Sequence, residues 1–268
     1  MITSAHNSKI QEVRRLLSQP KARREARAFV VEGVRLVAEA FQSNWALRVA
    51  LWSDDLSRAG HDLLARIQAA GVVCEQVDRA VLRATSDTQT PQGILAVAEV
   101  QSLPLPEPLD FLLLLDNLRD PGNLGTILRT ASAAGVQAVL LSPGSADPYN
   151  PKVVRSAMGA HFHLPVRPLG WPAIFEKLAG IPVYAADAAG ERPYTQADFR
   201  KPVAIVIGSE AEGVGAEAQQ LAQQRLSIPM PGYAESLNAA VAAALLMFEV
   251  VKQRGPLQEG EQKTERRE

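Results

Sequence analysis

Two unbroken apolar runs, Phe111-Leu112-Leu113-Leu114-Leu115 and Val203-Ala204-Ile205-Val206-Ile207, constrain the fold of this chain more than any other feature. A strand with one face in water alternates apolar and polar residues, so a run with no polar position asks for cover on both faces. Such strands belong to parallel sheets layered between helices. The segments between the runs carry the matching signals. Leu124, Ile127, Leu128 and Ala131 form the apolar stripe of a helix over 124–134. Further strands are predicted at 138–141, 162–166, 182–186 and 225–228, with helices at 152–158, 173–178, 216–223 and 237–252. The reading is an α/β domain with a parallel sheet over residues 110–254.

Upstream, residues 29–33 read as a short buried strand and 34–41 as a helix, with strands at 47–51, 72–77 and 94–100. This is a second, small α/β domain over residues 1–100. Pro104, Pro106 and Pro108 favour an extended segment, which makes 101–109 the predicted linker. Residues 255–268 are polar with almost nothing apolar, and a disordered tail is expected there.

The net charge of −1 gives no global sign of a nucleic-acid binder, so any such role needs a local patch. The first 35 residues supply one, with eight basic side chains against three acidic. Ile10, Val13, Leu16 and Leu17 recur at helical spacing and put Arg14 and Arg15 on the flanks of an amphipathic helix. With Lys21, Arg23, Arg24 and Arg27 these form a candidate phosphate-contacting set. The plainer reading is a solvated helix face. Cys74 is the only cysteine, which rules out an intramolecular disulfide and suits a reducing cytoplasm. No apolar signal core opens the chain, and the longest apolar run, 239–248, falls short of the roughly 20 residues that span a bilayer. A soluble cytoplasmic protein is expected, with no membrane partner. His161 and His163 would share one strand face, but no third ligand accompanies them and no metal is expected.

Three segments follow or close predicted strands, where open α/β sheets bind ligands. In Asp120-Pro121-Gly122-Asn123-Leu124-Gly125, turn chemistry leads into Asn123 as a helix cap, with Arg129 off the apolar stripe. In Ile207-Gly208-Ser209-Glu210-Ala211-Glu212-Gly213-Val214, a buried strand runs into a glycine that admits close backbone approach and then a carboxylate. In Ile228-Pro229-Met230-Pro231-Gly232, a rigid loop leads through Ser236, a second candidate cap, and Asn238 into an almost wholly apolar helix. Such a helix is buried in a core or against a partner subunit. No G-x-G-x-x-G is present, which argues against a nicotinamide-dependent enzyme.

Taken together, N-x-G-x-I-x-R-T-A, I-G-S-E-x-x-G-V and I-P-M-x-x-x-x-x-S-L-N-A-A-V-A resemble the signature motifs of the SpoU/TrmH family of RNA 2′-O-ribose methyltransferases, in the SPOUT superfamily. The opening Asn7-x-Lys9 … Arg24 … Phe29-x-x-Glu32-Gly33 is similar to the substrate-binding domain that family members carry. The resemblance implies a knotted (trefoil) parallel-sheet domain behind a small α/β RNA-binding domain, acting as a homodimer. It implies S-adenosylmethionine in a pocket lined by Gly208, Ile228, Leu237, Leu141 and Met230. It also implies a catalytic and RNA-contacting set of Arg129, Asn123, Glu210, Ser236 and Asn238. Ala211 departs from the glycine that many relatives carry after the glutamate. RNA is the implied substrate, ribosomal RNA ahead of transfer RNA. The rival is a non-catalytic RNA-binding or assembly protein on the same fold.

Overall fold

The computed structural model describes residues 1–255, so the expected polar tail lies outside the described residues apart from Gly255. The chain divides into two compact units. Along the first run α1 (Ser8–Ser18), α2 (Pro20–Ala26), β1 (Ala28–Glu32), α3 (Val34–Gln42), β2 (Leu47–Trp52), α4 (Arg58–Ala69), β3 (Val73–Gln76), α5 (Arg79–Thr85) and β4 (Ile94–Glu99). The second opens with β5 (Phe111–Leu115), α6 (Pro121–Ala134) and β6 (Ala138–Leu141). Helix α7 (Pro151–Ala157) and a 3-10 turn (Ala160–Phe162) then belong to the first unit. The second unit continues with β7 (Val166–Pro168), α8 (Trp171–Leu178), β8 (Val183–Ala186), β9 (Arg192–Pro193), β10 (Val203–Ile207), α9 (Ala216–Leu221), β11 (Gln224–Ser227) and α10 (Ala239–Arg254).

The second unit is built on a seven-stranded sheet in the order β7-β6-β5-β10-β8-β11-β9, and every pairing in it is parallel. The two apolar runs lie side by side at its centre, Phe111 opposite Val203 through Leu115 opposite Ile207. All ten residues are buried. Leu112, Leu114, Ala204 and Val206 pack with Ile174 and Leu178 of α8 and Ala218 of α9. The alternate residues point to the opposite face, where α10 packs on α6 and on β10. Two covered faces explain why neither run contains a polar position.

The first unit has a four-stranded sheet, β1-β4-β2-β3, antiparallel except for β2 with β3. One face packs on α3 and α4 and takes in Trp45, Val154 and Phe162. The other takes in Ile10, Val13 and Leu16 of α1, the apolar stripe read from the sequence. The division between units falls at Leu103/Pro104, inside the expected linker, but residues 147–163 join the first unit rather than the second. Aromatic packing is the reason. Tyr149, His161 and Phe162 stack around Phe29, with ring centroids 4.8, 6.4 and 6.5 Å away.

The same packing overturns the expected strand at 162–166 and the shared face of His161 and His163. His161 is buried, with Nε2 2.7 Å from the Pro148 carbonyl oxygen, while His163 is exposed and pairs with Glu39 at 2.7 Å. No group of three His, Cys, Asp or Glu able to hold a metal occurs among the described residues. No described helix is long and apolar enough to cross a membrane.

Candidate active site

The three motif segments emerge from the carboxyl ends of β5, β10 and β11, and their side chains meet. Helix α6 begins one turn earlier than expected, because Asp120 rather than Asn123 caps it, accepting from the Asn123 N–H at 2.7 Å. That frees the Asn123 side chain. Its Nδ2 donates to Glu210 Oε1 at 2.6 Å, and its Oδ1 accepts from Asn238 Nδ2 at 2.9 Å. Asn238 in turn caps α10, its Oδ1 accepting from the N–H groups of Ala240 and Val241 at 2.9 and 3.3 Å. The cap expected of Ser236 therefore belongs to Asn238. One chain of hydrogen bonds, Asn238 to Asn123 to Glu210, closes all three loops.

On one side of Glu210 lies a cavity of about 460 Å³. Ile207, Val214, Leu226, Ile228, Met230 and Leu237 form its apolar walls, and Ser236 lies at its edge with Leu237. Asp187, Glu210, Glu212 and Glu235 line it, with no lysine, arginine or histidine. A Cβ on Gly208 would lie 2.2 Å from the Gly213 carbonyl carbon, so only glycine permits this turn. The loop closes on itself there, Ser209 N donating to Gly213 O at 2.9 Å and Gly213 N to Ser209 O at 3.0 Å. On the other side of Glu210 is a more open hollow, bounded by Arg119, Asn123 and Asn238, which shares Ser209, Glu210 and Ala211 with the cavity.

The sequence residues divide accordingly. Asn123, Glu210, Asn238, Ser236, Gly208, Ile228, Met230 and Leu237 come together. Leu141 does not line the cavity: it is buried between Leu115 of β5 and Pro168 of β7, and its side chain is core. Arg129 is exposed, borders neither hollow, and its side chain makes no hydrogen bond or ion pair among the described residues. Six residues beyond Asn123 on α6, it sits about 9 Å further along the axis and on another face.

In the first unit, Arg23 is a correction to the phosphate-contacting set. It is 3% exposed, paired with Asp147 at 2.7 Å and donating to the carbonyls of Leu16 and Leu17, so its charge is committed to the interior. Arg14 is half-buried, and Lys21 pairs with Glu25 at 3.7 Å. Arg15, Arg24 and Arg27 are exposed. The sequence reading missed Asp187, whose one signal was its place just after β8. It also missed Arg119 and Glu235, which no local pattern marks.

Residues 110–248 match the model of the SpoU rRNA Methylase family. The chain belongs to the SpoU rRNA methylase family. Residues 7–96 also match the MRM3-like substrate binding domain. The 23S rRNA (guanosine(2553)-2′-O)-methyltransferase RlmP of Bacillus subtilis is 37% identical, covering 92% of this chain and 97% of that protein. The 23S rRNA (uridine(2479)-2′-O)-methyltransferase of Streptomyces viridochromogenes is 32% identical, covering 94% and 92%. Among solved structures, the AdoMet-bound rRNA methyltransferase from Sinorhizobium meliloti superposes with a TM-score of 0.84 at 31% identity, covering 94% of this chain and 97% of that one. For this SpoU methylase, the loops joined through Asn123 all lie within the residues that match the family.

Proposed function

We propose that this chain methylates a ribose 2′-hydroxyl of ribosomal RNA with S-adenosylmethionine as methyl donor. The observation that carries the reading is the Asn238–Asn123–Glu210 chain, which stands between a carboxylate-lined cavity and an open hollow at the carboxyl ends of a parallel sheet. The cavity suits the donor. Four carboxylates and no cation favour a ligand bearing a sulfonium and an ammonium, and the apolar walls suit an adenine. Gly208, Ile228, Met230 and Leu237 would hold it.

When bound, S-adenosylmethionine supplies an electrophilic methyl on a good leaving group. What remains for the protein is orientation and control of charge on the ribose oxygen. Asn123, locked by two side-chain bonds, orients the acceptor side of the site, and Glu210 anchors it. Arg129 acts through its fixed positive charge by stabilising the developing alkoxide, while a substrate phosphate or water takes the ribose proton. Exposed, and unpaired among the described residues, it is free to meet RNA or the site of a neighbouring subunit.

The first unit serves as the RNA-holding domain, through exposed Arg15, Arg24 and Arg27. The active form is a homodimer: Val241, Leu245 and Phe248 run as one stripe on the outer face of α10, 37–48% exposed, and a second copy is the natural cover for it. A trefoil knot in the second unit is the arrangement that its match to the SpoU methylases supports. The lone Cys74 suits the cytoplasm.

The test is transfer of labelled methyl from S-adenosylmethionine into total RNA from cells lacking the gene, followed by nucleoside analysis. A labelled 2′-O-methylnucleoside in the large-ribosomal-RNA fraction is expected. Absence of both label and S-adenosylhomocysteine binding overturns the reading and leaves a non-catalytic RNA-binding protein.

A further inference from the structure

Asp116 stands directly after β5, only 3% exposed, with no cation paired to it among the described residues. Burying a carboxylate without a counter-charge is costly, and side chains that pack without charge could fill the position. Each of its oxygens nevertheless accepts a hydrogen bond. Oδ1 accepts from Ser142 Oγ at 2.8 Å, and that hydroxyl accepts from the Asn117 N–H at 2.9 Å. Oδ2 accepts from the Gly215 N–H at 2.7 Å. Gly215 is where the 208–215 loop ends, one residue before α9. A Cβ there would lie 3.0 Å from Asp116 Oδ2, so the backbone comes up to the carboxylate as closely as a residue without a side chain allows.

The loop that Asp116 holds is the wall of the cavity. Its entry is fixed by β10 and its middle is closed by the reciprocal Ser209–Gly213 bonds. Gln219 Nε2 adds a bond to the Val214 carbonyl at 2.8 Å. Between these points the loop presents Gly208, Ser209 and Val214 to the cavity and Glu210 to Asn123. We propose that Asp116 is a positioning residue for methyl transfer: by gripping the Gly215 N–H it sets the cavity wall and the reach of Glu210 to Asn123 together. The inference rests on the methyltransferase reading above.

The experiment compares wild type, D116A and D116N in calorimetric binding of S-adenosylhomocysteine, in kcat, and in RNA affinity. Alanine removes both acceptors. Asparagine keeps an acceptor for the Gly215 N–H while its Nδ2 donates to Ser142 Oγ, so it should rescue. Loss of the charge-assisted bond to Gly215 should weaken S-adenosylhomocysteine binding about tenfold or more in D116A and lower kcat. RNA affinity should stay within about twofold, since no RNA contact is touched, and D116N should lie within about threefold of wild type. D116A with wild-type cofactor affinity overturns the inference, as does D116N failing as badly as D116A. Should D116A not fold, amide exchange of wild type decides, because Gly215 is solvent-exposed apart from this bond. Slow exchange at Gly215 supports the tether and fast exchange overturns it. A wild type that neither binds S-adenosylhomocysteine nor transfers methyl is a failure of the methyltransferase reading, distinct from both results.

Discussion

Asn123 donates to Glu210 and accepts from Asn238, so one amide is shared by loops that lie far apart in the chain. Replacing it with alanine strands both partners at the mouth of the site. N123A should lose activity well before stability, with a melting point a few degrees lower at most, as expected for exposed polar groups. Thermal melts beside turnover assays check this. Among the described residues the Arg129 side chain has no structural partner to lose. R129A should therefore fold and bind S-adenosylhomocysteine normally while kcat falls about 10²–10³-fold, the cost of removing one donor to a developing oxyanion. Near-normal turnover would remove Arg129 from the chemistry. Arg129 was picked out by the family resemblance alone, while Asn123, a polar side chain between a strand end and a helix where α/β sites form, was readable in the sequence. Arg23 was not. Nothing local separates a buried arginine from the exposed Arg24 beside it, because the Asp147 that claims Arg23 is remote in sequence.

Helix α10 shows what an element can and cannot reveal. Its apolar character all round implied burial, and Ala239, Ala240, Ala243, Leu246, Met247 and Val250 are buried within the unit. Val241, Leu245 and Phe248 remain exposed on the other side. Phe248→Glu places a charge in the middle of that stripe. It should shift sedimentation from dimer to monomer and lower activity, while secondary structure is unchanged by circular dichroism. A variant that sediments as wild type would mean that the stripe is not the dimer face. Helix boundaries were predicted within a turn where a cap residue stood in the sequence. They erred at α6 because Asp120 and Asn123 are both good caps, and only the backbone path decides which one turns inward. The stretch 160–166 misled because a short apolar run suits a strand or a buried turn equally.

Over the whole molecule, acid should act on the first unit through His161. Burial lowers its pKa to about 4 from 6.5, against the opposing pull of the Pro148 carbonyl and the Asp147 charge. Above pH 6.5 the imidazole is neutral in both states. Between 6.5 and about 4 the unfolded chain takes up a proton that the folded chain refuses, so stability falls with pH, by roughly 3 kcal/mol once the drop is complete. Urea unfolding followed by the fluorescence of Trp45, whose ring lies 5.1 Å from Phe162, should show this slope. His161→Phe should flatten it, and an unchanged slope would place the acid sensitivity elsewhere. The amino-acid order alone determined the parallel sheet, the two α/β units and the three loops of the site, because those follow from local periodicity, capping and turn chemistry. Only tertiary structure decided that residues 147–163 join the first unit, that Arg23 and Leu141 are core, and that Asp116 grips Gly215. Each of these depends on contacts between residues distant in the chain, and local patterns carry no record of which distant group will arrive.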